Sequence, residues 1–186
     1  MENEKGVRLN KYLADAGKCS RREADRWIEE GRVWIDGRRG MLGDRVLPGM
    51  KVTIAGDRVK RQSKPVYIAL NKPVGIVCTC DPNEPNNVVS FIDHDRRIYP
   101  IGRLDKDTEG LLLFTNDGQL AHRLISPKHG VEKCYYAEHE GTADAADIQA
   151  FADGCLLRDG TKCLPARLVP QGVGKSLVYV CEGKYH

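Results

Sequence analysis

The sequence predicts an α+β fold in two parts: a small basic module of helices and short strands, then a larger part built mainly on an antiparallel sheet. Residues 1–62 carry 15 lysines and arginines against 10 acidic residues, whereas residues 63–186 carry 14 against 16. Many short extended segments with two or three helices between them follow the first module. The polar, proline-containing stretch 61–65 predicts the boundary between a domain of residues 1–62 and a domain of residues 63–186.

The composition is that of a folded protein, because 41% of the residues are hydrophobic and 30% are charged. These values exclude collagen-like and wholly disordered chains. No run of about 18 apolar residues occurs, so no membrane span is expected. The N-terminal residues lack the apolar stretch of a secretory signal, which predicts a cytoplasmic protein. The seven cysteines contain no C-x-x-C pair, which favours reduced thiols over a metal site.

The first module is predicted to begin with two helices. Apolar residues recur at helical spacing over residues 7–17. Ser20-Arg-Arg-Glu23 matches the S-x-x-E capping box and predicts the start of a second helix, which Gly31 closes. Strands are predicted at 33–35, before an Asp-Gly hairpin signal, and at 51–54.

Basic side chains gather on and between these helices and beside the first hairpin. Arginine binds phosphate through a planar fork of donors, so such a surface suits an RNA backbone. A solvated basic face with no ligand is the alternative. The candidate RNA-binding residues are Arg8, Lys11, Lys18, Arg21, Arg22, Arg26, Arg32, Arg38 and Arg39.

A dense pattern covers residues 7–54 and includes V-R-L-N-K-Y-L-A-D-A-G-x-C-S-R-R-E-A-D-x-x-I-E-E-G-R-V-x-I-D-G. It resembles the S4 (α-L) RNA-binding domain. The resemblance implies structured RNA as the ligand of this module. It implies no particular reaction.

The larger part alternates extended segments with turns and helices. Strands are expected at or near 66–70, 76–79, 98–101, 111–115, 133–140, 155–158, 164–169 and 176–181. The turn-rich stretch 71–75 is predicted to join the first two as a hairpin. Lys72 in this turn is expected to be an ordinary exposed lysine, and a contact to RNA phosphate is the alternative. Helices are expected after Asn116 or Asp117 and at 142–153.

A charged loop from Gly102 to Gly110 lies between two of these extended segments. Its Asp105 is compatible with a nucleophile, an acid or base, or a turn residue that binds loop amides. Asp105, Asp107 and Glu109 together would also suit a divalent cation. The sequence contains no phosphate-binding loop, zincin or serine-hydrolase motif.

The segment G-R-L-D-K-D-T-E-G-L-L-L-F-T-N-D-G at 102–118 resembles the catalytic motif of RNA pseudouridine synthases. With an S4 domain in front, the chain is similar to the ribosomal RNA pseudouridine synthases of the RsuA type, and most to those acting on small-subunit 16S rRNA. Related enzymes with similar motifs act on large-subunit rRNA, which is the alternative target. The supporting segments are L-N-K-P-x-G at 70–75, S-P-K-H at 126–129, E-K-C-Y at 132–135 and E-G-K-Y-H at 182–186.

This resemblance implies that a monomer converts uridine to pseudouridine in ribosomal RNA or a pre-ribosomal particle, without cofactor or metal. Asp105 takes the role of the catalytic carboxylate, by a covalent or a glycal route. Because a stacked base must be extruded before it can react, Arg103 takes the role of displacing it. Tyr135 takes the role of stacking on the uracil. A structural ion pair or phosphate contact for Arg103, and a core position for Tyr135, are the alternatives.

The family pattern continues beyond E-G-K-Y-H to a basic residue that pairs with the catalytic carboxylate, whereas this sequence ends at His186. The catalytic domain of residues 63–186 is therefore expected to be incomplete at its C-terminus. The alternative function is an S4-led RNA-binding or ribosome-assembly module without catalytic activity.

Overall fold

The computed structural model describes residues 6–60 and 64–181. The chain divides into two compact units, Met1–Ala121 and His122–His186. All strand pairings of the described residues are antiparallel, and helices lie between the strands, so the predicted α+β class with mainly antiparallel sheets is confirmed. The predicted boundary between residues 62 and 63 lies outside the described residues.

The N-terminal part of the first unit contains two helices and two small sheets. One sheet pairs β1 with β4, and the other has the order β3-β2-β5-β6. The elements are β1 (Val7–Arg8), α1 (Leu9–Asp15), α2 (Arg21–Glu29), β2 (Val33–Ile35), β3 (Arg38–Arg39), β4 (Arg45–Val46), β5 (Val52–Ile54) and β6 (Asp57–Arg58). Their buried core is formed by Leu9, Leu13, Ala16, Cys19, Ala24, Ile28, Val33, Ile35, Val46, Val52 and Val59.

Both predicted ends of α2 are confirmed by local hydrogen bonds. The Ser20 hydroxyl accepts from the Glu23 amide at 3.1 Å, and the Ser20 amide donates to the Glu23 carboxylate at 3.4 Å. At the other end, the Gly31 amide donates to the Ile28 carbonyl and the Arg32 amide to the Trp27 carbonyl, each at 3.0 Å. These two hydrogen bonds together form a Schellman cap.

The rest of the first unit is a three-stranded sheet of order β7-β9-β8 with two helices. The elements are β7 (Tyr67–Lys72), α3 (Val88–Ile92), β8 (Tyr99–Ile101), β9 (Gly110–Thr115) and α4 (Gly118–Ile125), the last of which continues into the second unit. The Asp117 carboxylate accepts from the amides of Gln119 and Leu120, so Asp117 caps α4. The buried core residues of this part are Val88, Ile98, Leu112 and Phe114.

The predicted hairpin between 66–70 and 76–79 is wrong. β7 pairs instead with β9, which follows about forty residues later, in a register that places Lys72 opposite Gly110. Residues 76–79 contribute a single bridge, from Val77 to Asn87. The Val77 amide donates to Asn86 and its carbonyl accepts from Val88, so the start of α3 satisfies the groups that a hairpin would have used.

The second unit contains a three-stranded sheet of order β10-β12-β11. After the end of α4 come a 3-10 turn at Pro127–His129, then β10 (Lys133–Glu138), α5 (Ala145–Asp153), β11 (Arg167–Pro170) and β12 (Lys175–Val180). A capping box at Asp144 and Asp147 starts α5. Across the described part of the chain, no helix is both long and apolar enough to span a membrane.

We expect Ser20→Ala to lower the free energy of unfolding of the N-terminal module by roughly 1 kcal/mol, because the helix loses its N-cap acceptor. The sequence has two tryptophans, at 27 and 34, so their fluorescence during urea denaturation reports this module alone. Ser20→Asp keeps an acceptor and is expected to stay close to wild type. Equal destabilisation by both variants would contradict the capping role.

Candidate active site and RNA-binding surface

The loop that carries Asp105 joins β8 to β9. Its end residues Gly102 and Gly110 have φ angles of +87° and +136°. Residues with a side chain rarely adopt these backbone conformations, which explains the glycines that frame the charged segment. Within the loop, the Thr108 amide donates to the Asp105 carbonyl at 3.1 Å and closes a turn. The two glycines and this hydrogen bond therefore give the loop a defined backbone conformation.

Leu104 anchors the loop to the interior. Its side chain packs against the core around Phe114, and its amide donates to the Cys78 sulfur at 3.4 Å. Neighbouring residues of an extended segment point to opposite sides. Arg103 and Asp105 flank Leu104, and both are exposed. The structure thus brings these two candidate residues together on one loop, with their side chains open to solvent.

The buried side chain of Lys72 binds the backbone of the same loop from the protein interior. It is 0% exposed, and its Nζ donates to the carbonyl oxygens of Pro73 at 3.0 Å, Lys106 at 3.2 Å and Thr108 at 2.6 Å. A protonated lysine has three donors, so the three carbonyls satisfy it fully. The Lys106 carbonyl also accepts from the Gly75 amide at 2.8 Å. The turn after β7 is therefore tied to the Asp105 loop.

The expectation that Lys72 is an ordinary exposed lysine is wrong. Strand β7 alternates, with Tyr67, Ala69 and Asn71 exposed and the residues between them turned inward. Lys72 shares its face with Ile68 and Leu70, which pack against the core. Strand alternation is compatible with an inward-facing Lys72, but the N-K-P sequence at the end of β7 also fits a turn, so the sequence alone does not decide between the two positions.

Tyr135 lies in the second unit, on β10, opposite Val178 of β12. Its side chain is 50% exposed, so Tyr135 is not part of the buried core of the described residues. Tyr136 is opposite Leu177 and is 57% exposed. The two tyrosines point to opposite faces of the sheet, as strand alternation predicts.

The nine candidate RNA-binding residues fall into two groups. Three are partly engaged within the protein: Arg32 contacts Glu30 at 3.3 Å, Arg38 contacts Asp44 at 2.8 Å, and Arg39 donates to the Glu29 carbonyl at 2.8 Å. The remaining six make no side-chain hydrogen bond or ion pair with another described residue. They are Arg8, Lys11, Lys18, Arg21, Arg22 and Arg26, all exposed except the partly buried Lys11.

The Arg38–Asp44 pair stabilises the turn after β3. Asp44 also accepts from the Met41 amide at 2.9 Å. These hydrogen bonds, the one from Arg38 first, hold the pKa of the Asp44 carboxyl below its usual range. Arg38 is thus a structural residue as well as an exposed cation.

Over residues 6–60 and 64–181, no group of three or more histidine, cysteine, aspartate or glutamate side chains is placed to hold a metal ion. Asp105, Asp107 and Glu109 are each exposed on their loop and form no such group. The segment 182–186, which supplied the last supporting motif, lies outside the described residues.

A basic module of two helices and small sheets, followed by a sheet domain with an exposed loop aspartate, is compatible with an RNA-modifying class of proteins. Comparison with known families specifies the class. The RNA pseudouridylate synthase family matches residues 66–160, and the S4 domain matches residues 7–59. The chain belongs to the RNA pseudouridylate synthase family.

Similar proteins carry related names. The chain is 48% identical over 192 aligned positions to the dual-specificity RNA pseudouridine synthase RluF of Escherichia coli K12, a match that covers 96% of this chain and 66% of that protein. It is 36% identical to the uncharacterized RNA pseudouridine synthase YtzG of Bacillus subtilis 168, covering 97% and 79%. It is 39% identical to the ribosomal large subunit pseudouridine synthase B of the same organism, covering 86% and 66%.

A crystal structure of a pseudouridylate synthase has the same fold. The match has a TM-score of 0.59 and 30% sequence identity, and it covers 97% of this chain and 80% of the other. The chain spans about two thirds of the length of the RluF proteins that it matches.

We expect Lys72→Met to lower the free energy of unfolding by roughly 2–3 kcal/mol, because three carbonyls lose a charged donor while the aliphatic volume is kept. Lys106→Met is the matched control, since the Lys106 side chain is exposed and only its carbonyl takes part. Thermal or urea unfolding followed by circular dichroism measures both. A Lys72 variant as stable as the control would contradict the anchoring role.

Proposed function

We propose that this protein is an isomerase that converts uridine to pseudouridine in ribosomal RNA. The reaction breaks the bond between N1 of uracil and C1′ of ribose and forms a bond from C5 to C1′. C5 loses a proton and N1 gains one, so substrate and product are isomers and no cofactor is consumed. The observation that carries the proposal is the exposed Asp105 carboxylate on a loop held by buried Lys72 and anchored by Leu104.

In this proposal, Asp105 is the carboxylate that meets the nucleoside, by attack on C1′ or C6 or by assisting a glycal route. Its exposure supports the role, because a pyrimidine cannot reach a carboxylate sealed in a core. Arg103 displaces the target base and holds the distorted RNA, which suits an exposed arginine two residues away. Tyr135 stacks on the extruded uracil, and its half-exposed ring is compatible with that use.

The N-terminal module, which we take as residues 1–62, binds the RNA through its exposed arginines, and residues 63–186 hold the chemistry. The name of one relative, a ribosomal large subunit pseudouridine synthase, supports ribosomal RNA as the substrate. Small-subunit 16S rRNA is the predicted target, and large-subunit rRNA is the alternative, which that name favours. The enzyme would act as a monomer in the cytoplasm, on free rRNA or a pre-ribosomal particle.

Asp105→Asn is expected to lower the rate of pseudouridine formation by about a thousandfold or more, because the amide cannot act as a nucleophile or base. Asp107→Asn is the matched control: it removes the same charge from the same exposed loop and should leave the rate near wild type. Chemical mapping of pseudouridine on unmodified rRNA of both subunits measures the effect and identifies the target.

Conversion retained by Asp105→Asn would contradict the assigned role. Salt-dependent binding of rRNA by the wild-type protein without any conversion would instead favour the alternative, an RNA-binding or ribosome-assembly module. Cleaved RNA in the presence of magnesium would indicate a nuclease and contradict both.

Replacing Arg21 and Arg22 together by alanine is expected to weaken rRNA binding and to flatten its salt dependence. Loss of two phosphate contacts should reduce the slope of log K against log salt by about 1.5. The rate at saturating enzyme should change little, because both exposed arginines are proposed to bind RNA phosphate and not to act on the reacting atoms. Lys51→Ala removes an exposed charge outside the candidate surface and serves as the control. An unchanged slope in the double variant would argue against this surface.

A further inference from the structure

The N-terminal module contains a cleft that takes no part in the proposed chemistry. Its volume is about 230 Å³, and it opens where the connection before α2, α2 itself and the β5–β6 turn meet. All of its walls come from residues 18–59, so it lies within the first unit. The side chains that matter here are those of Lys18, Trp27, Ile54, Asp57 and Arg58.

Trp27 gives the cleft a fixed aromatic wall. The indole is partly buried and packs against the core of the module, so its position is set by packing. The Arg32 guanidinium lies over the same ring at 4.9 Å, yet Arg32 does not line the cleft. Trp27 thus lines the cleft and also contacts the Arg32 guanidinium, which lies outside it.

The β5–β6 turn, which also lines the cleft, is held in place as well. Ala55 and Gly56 form the β5–β6 turn with φ angles of +49° and +93°. A left-handed alanine is uncommon and persists where its surroundings hold it. Here the Ala55 amide donates to the Arg32 carbonyl at 3.0 Å, and buried Val59 pairs back to Val52 at 2.9 Å. The cleft is preformed.

Charged side chains at the cleft are available to a ligand. Lys18, Asp57 and Arg58 are all exposed, and none of them makes a side-chain hydrogen bond or ion pair with another residue that the structure describes. Two cations beside one aromatic ring form the usual combination of single-stranded RNA sites, where bases stack and phosphates are neutralised. A free phosphate seated in the cleft fits less well, because the Asp57 carboxylate there would repel it, whereas the same carboxylate can accept a hydrogen bond from the amino group of a base.

We propose that this cleft binds one unstacked nucleobase of the RNA, with Trp27 as the stacking surface and Lys18 and Arg58 on the flanking phosphates. The volume is below the roughly 300–1,000 Å³ of sites for drug-sized ligands and suits a single base. Arg58 and Trp27 thereby join the RNA-binding set. The inference rests on the proposed function only in taking RNA as the ligand.

The direct test uses Trp34→Phe, which leaves Trp27 as the single tryptophan; Trp34 is 42% exposed and tolerates the change. The variant is titrated at low salt with a single-stranded hexaadenylate and with an abasic ribose-phosphate hexamer. We expect saturable quenching by hexaadenylate and none by the abasic hexamer, because only a base can stack. Equal quenching by both, or binding of labelled hexaadenylate without quenching, would overturn the proposal.

Substitutions provide a second, independent measurement. Trp27→Leu keeps an apolar residue against the core but removes the ring, and it should raise the Kd for hexaadenylate by about 5- to 100-fold. The pair Lys18→Ala and Arg58→Ala should also weaken binding, whereas Lys51→Ala should not. Circular dichroism checks that each variant is folded. Unchanged affinity in a folded Trp27→Leu variant would refute the subsite.

The failure of this inference and that of the proposed function are distinguishable. If the protein forms pseudouridine on rRNA but its Trp27 fluorescence is not quenched by hexaadenylate, the nucleobase subsite is refuted and the proposed enzymatic activity stands. If Trp27 fluorescence is quenched but no uridine is converted, the proposed enzymatic activity is refuted and the nucleobase subsite stands.

Discussion

The geometry of the candidate active site depends on one buried amine. The Lys72 side chain enters the interior from the end of β7 and donates to three backbone carbonyls, two of them in the loop that carries Asp105. An irregular loop has carbonyls that no sheet partner satisfies, and leaving them unpaired in the interior is costly. The Lys72 amine donates a hydrogen bond to both the Lys106 and the Thr108 carbonyl, and these two bonds constrain the backbone between them.

Leu104 complements this polar anchor with an apolar one. Its side chain packs into the core while its neighbours Arg103 and Asp105 remain exposed. The two anchors act on either side of Asp105, which leaves the carboxylate little freedom to move with its backbone. Functional groups need such support, because a reacting atom must be held to within a fraction of an ångström. The anchoring lysine belongs to a strand about thirty residues earlier, so the site requires the β7–β9 pairing.

The N-terminal module uses its basic residues in two ways. Arg38 and Arg39 tie turns and the end of α2 to the rest of the module, and they remain exposed while doing so. Arg21, Arg22 and Arg26 on α2 make no such contacts with the described residues and are available to a polyanion. In the proposed function, binding and chemistry belong to different parts of the chain, and the proposed Trp27 subsite would add a nucleobase contact to the phosphate contacts.

The sequence by itself determined what local bonds encode. The capping box at Ser20, the cap at Gly31, the loop that places Asp105 between two strands, and the family motif around it required no knowledge of distant residues. Tertiary structure alone decided that β7 pairs with β9 and that Lys72 is buried. The reason is that strand pairing depends on which apolar faces pack against each other in the folded protein. A lysine at the end of a strand has the same local sequence whether that face of the sheet is covered or exposed to solvent.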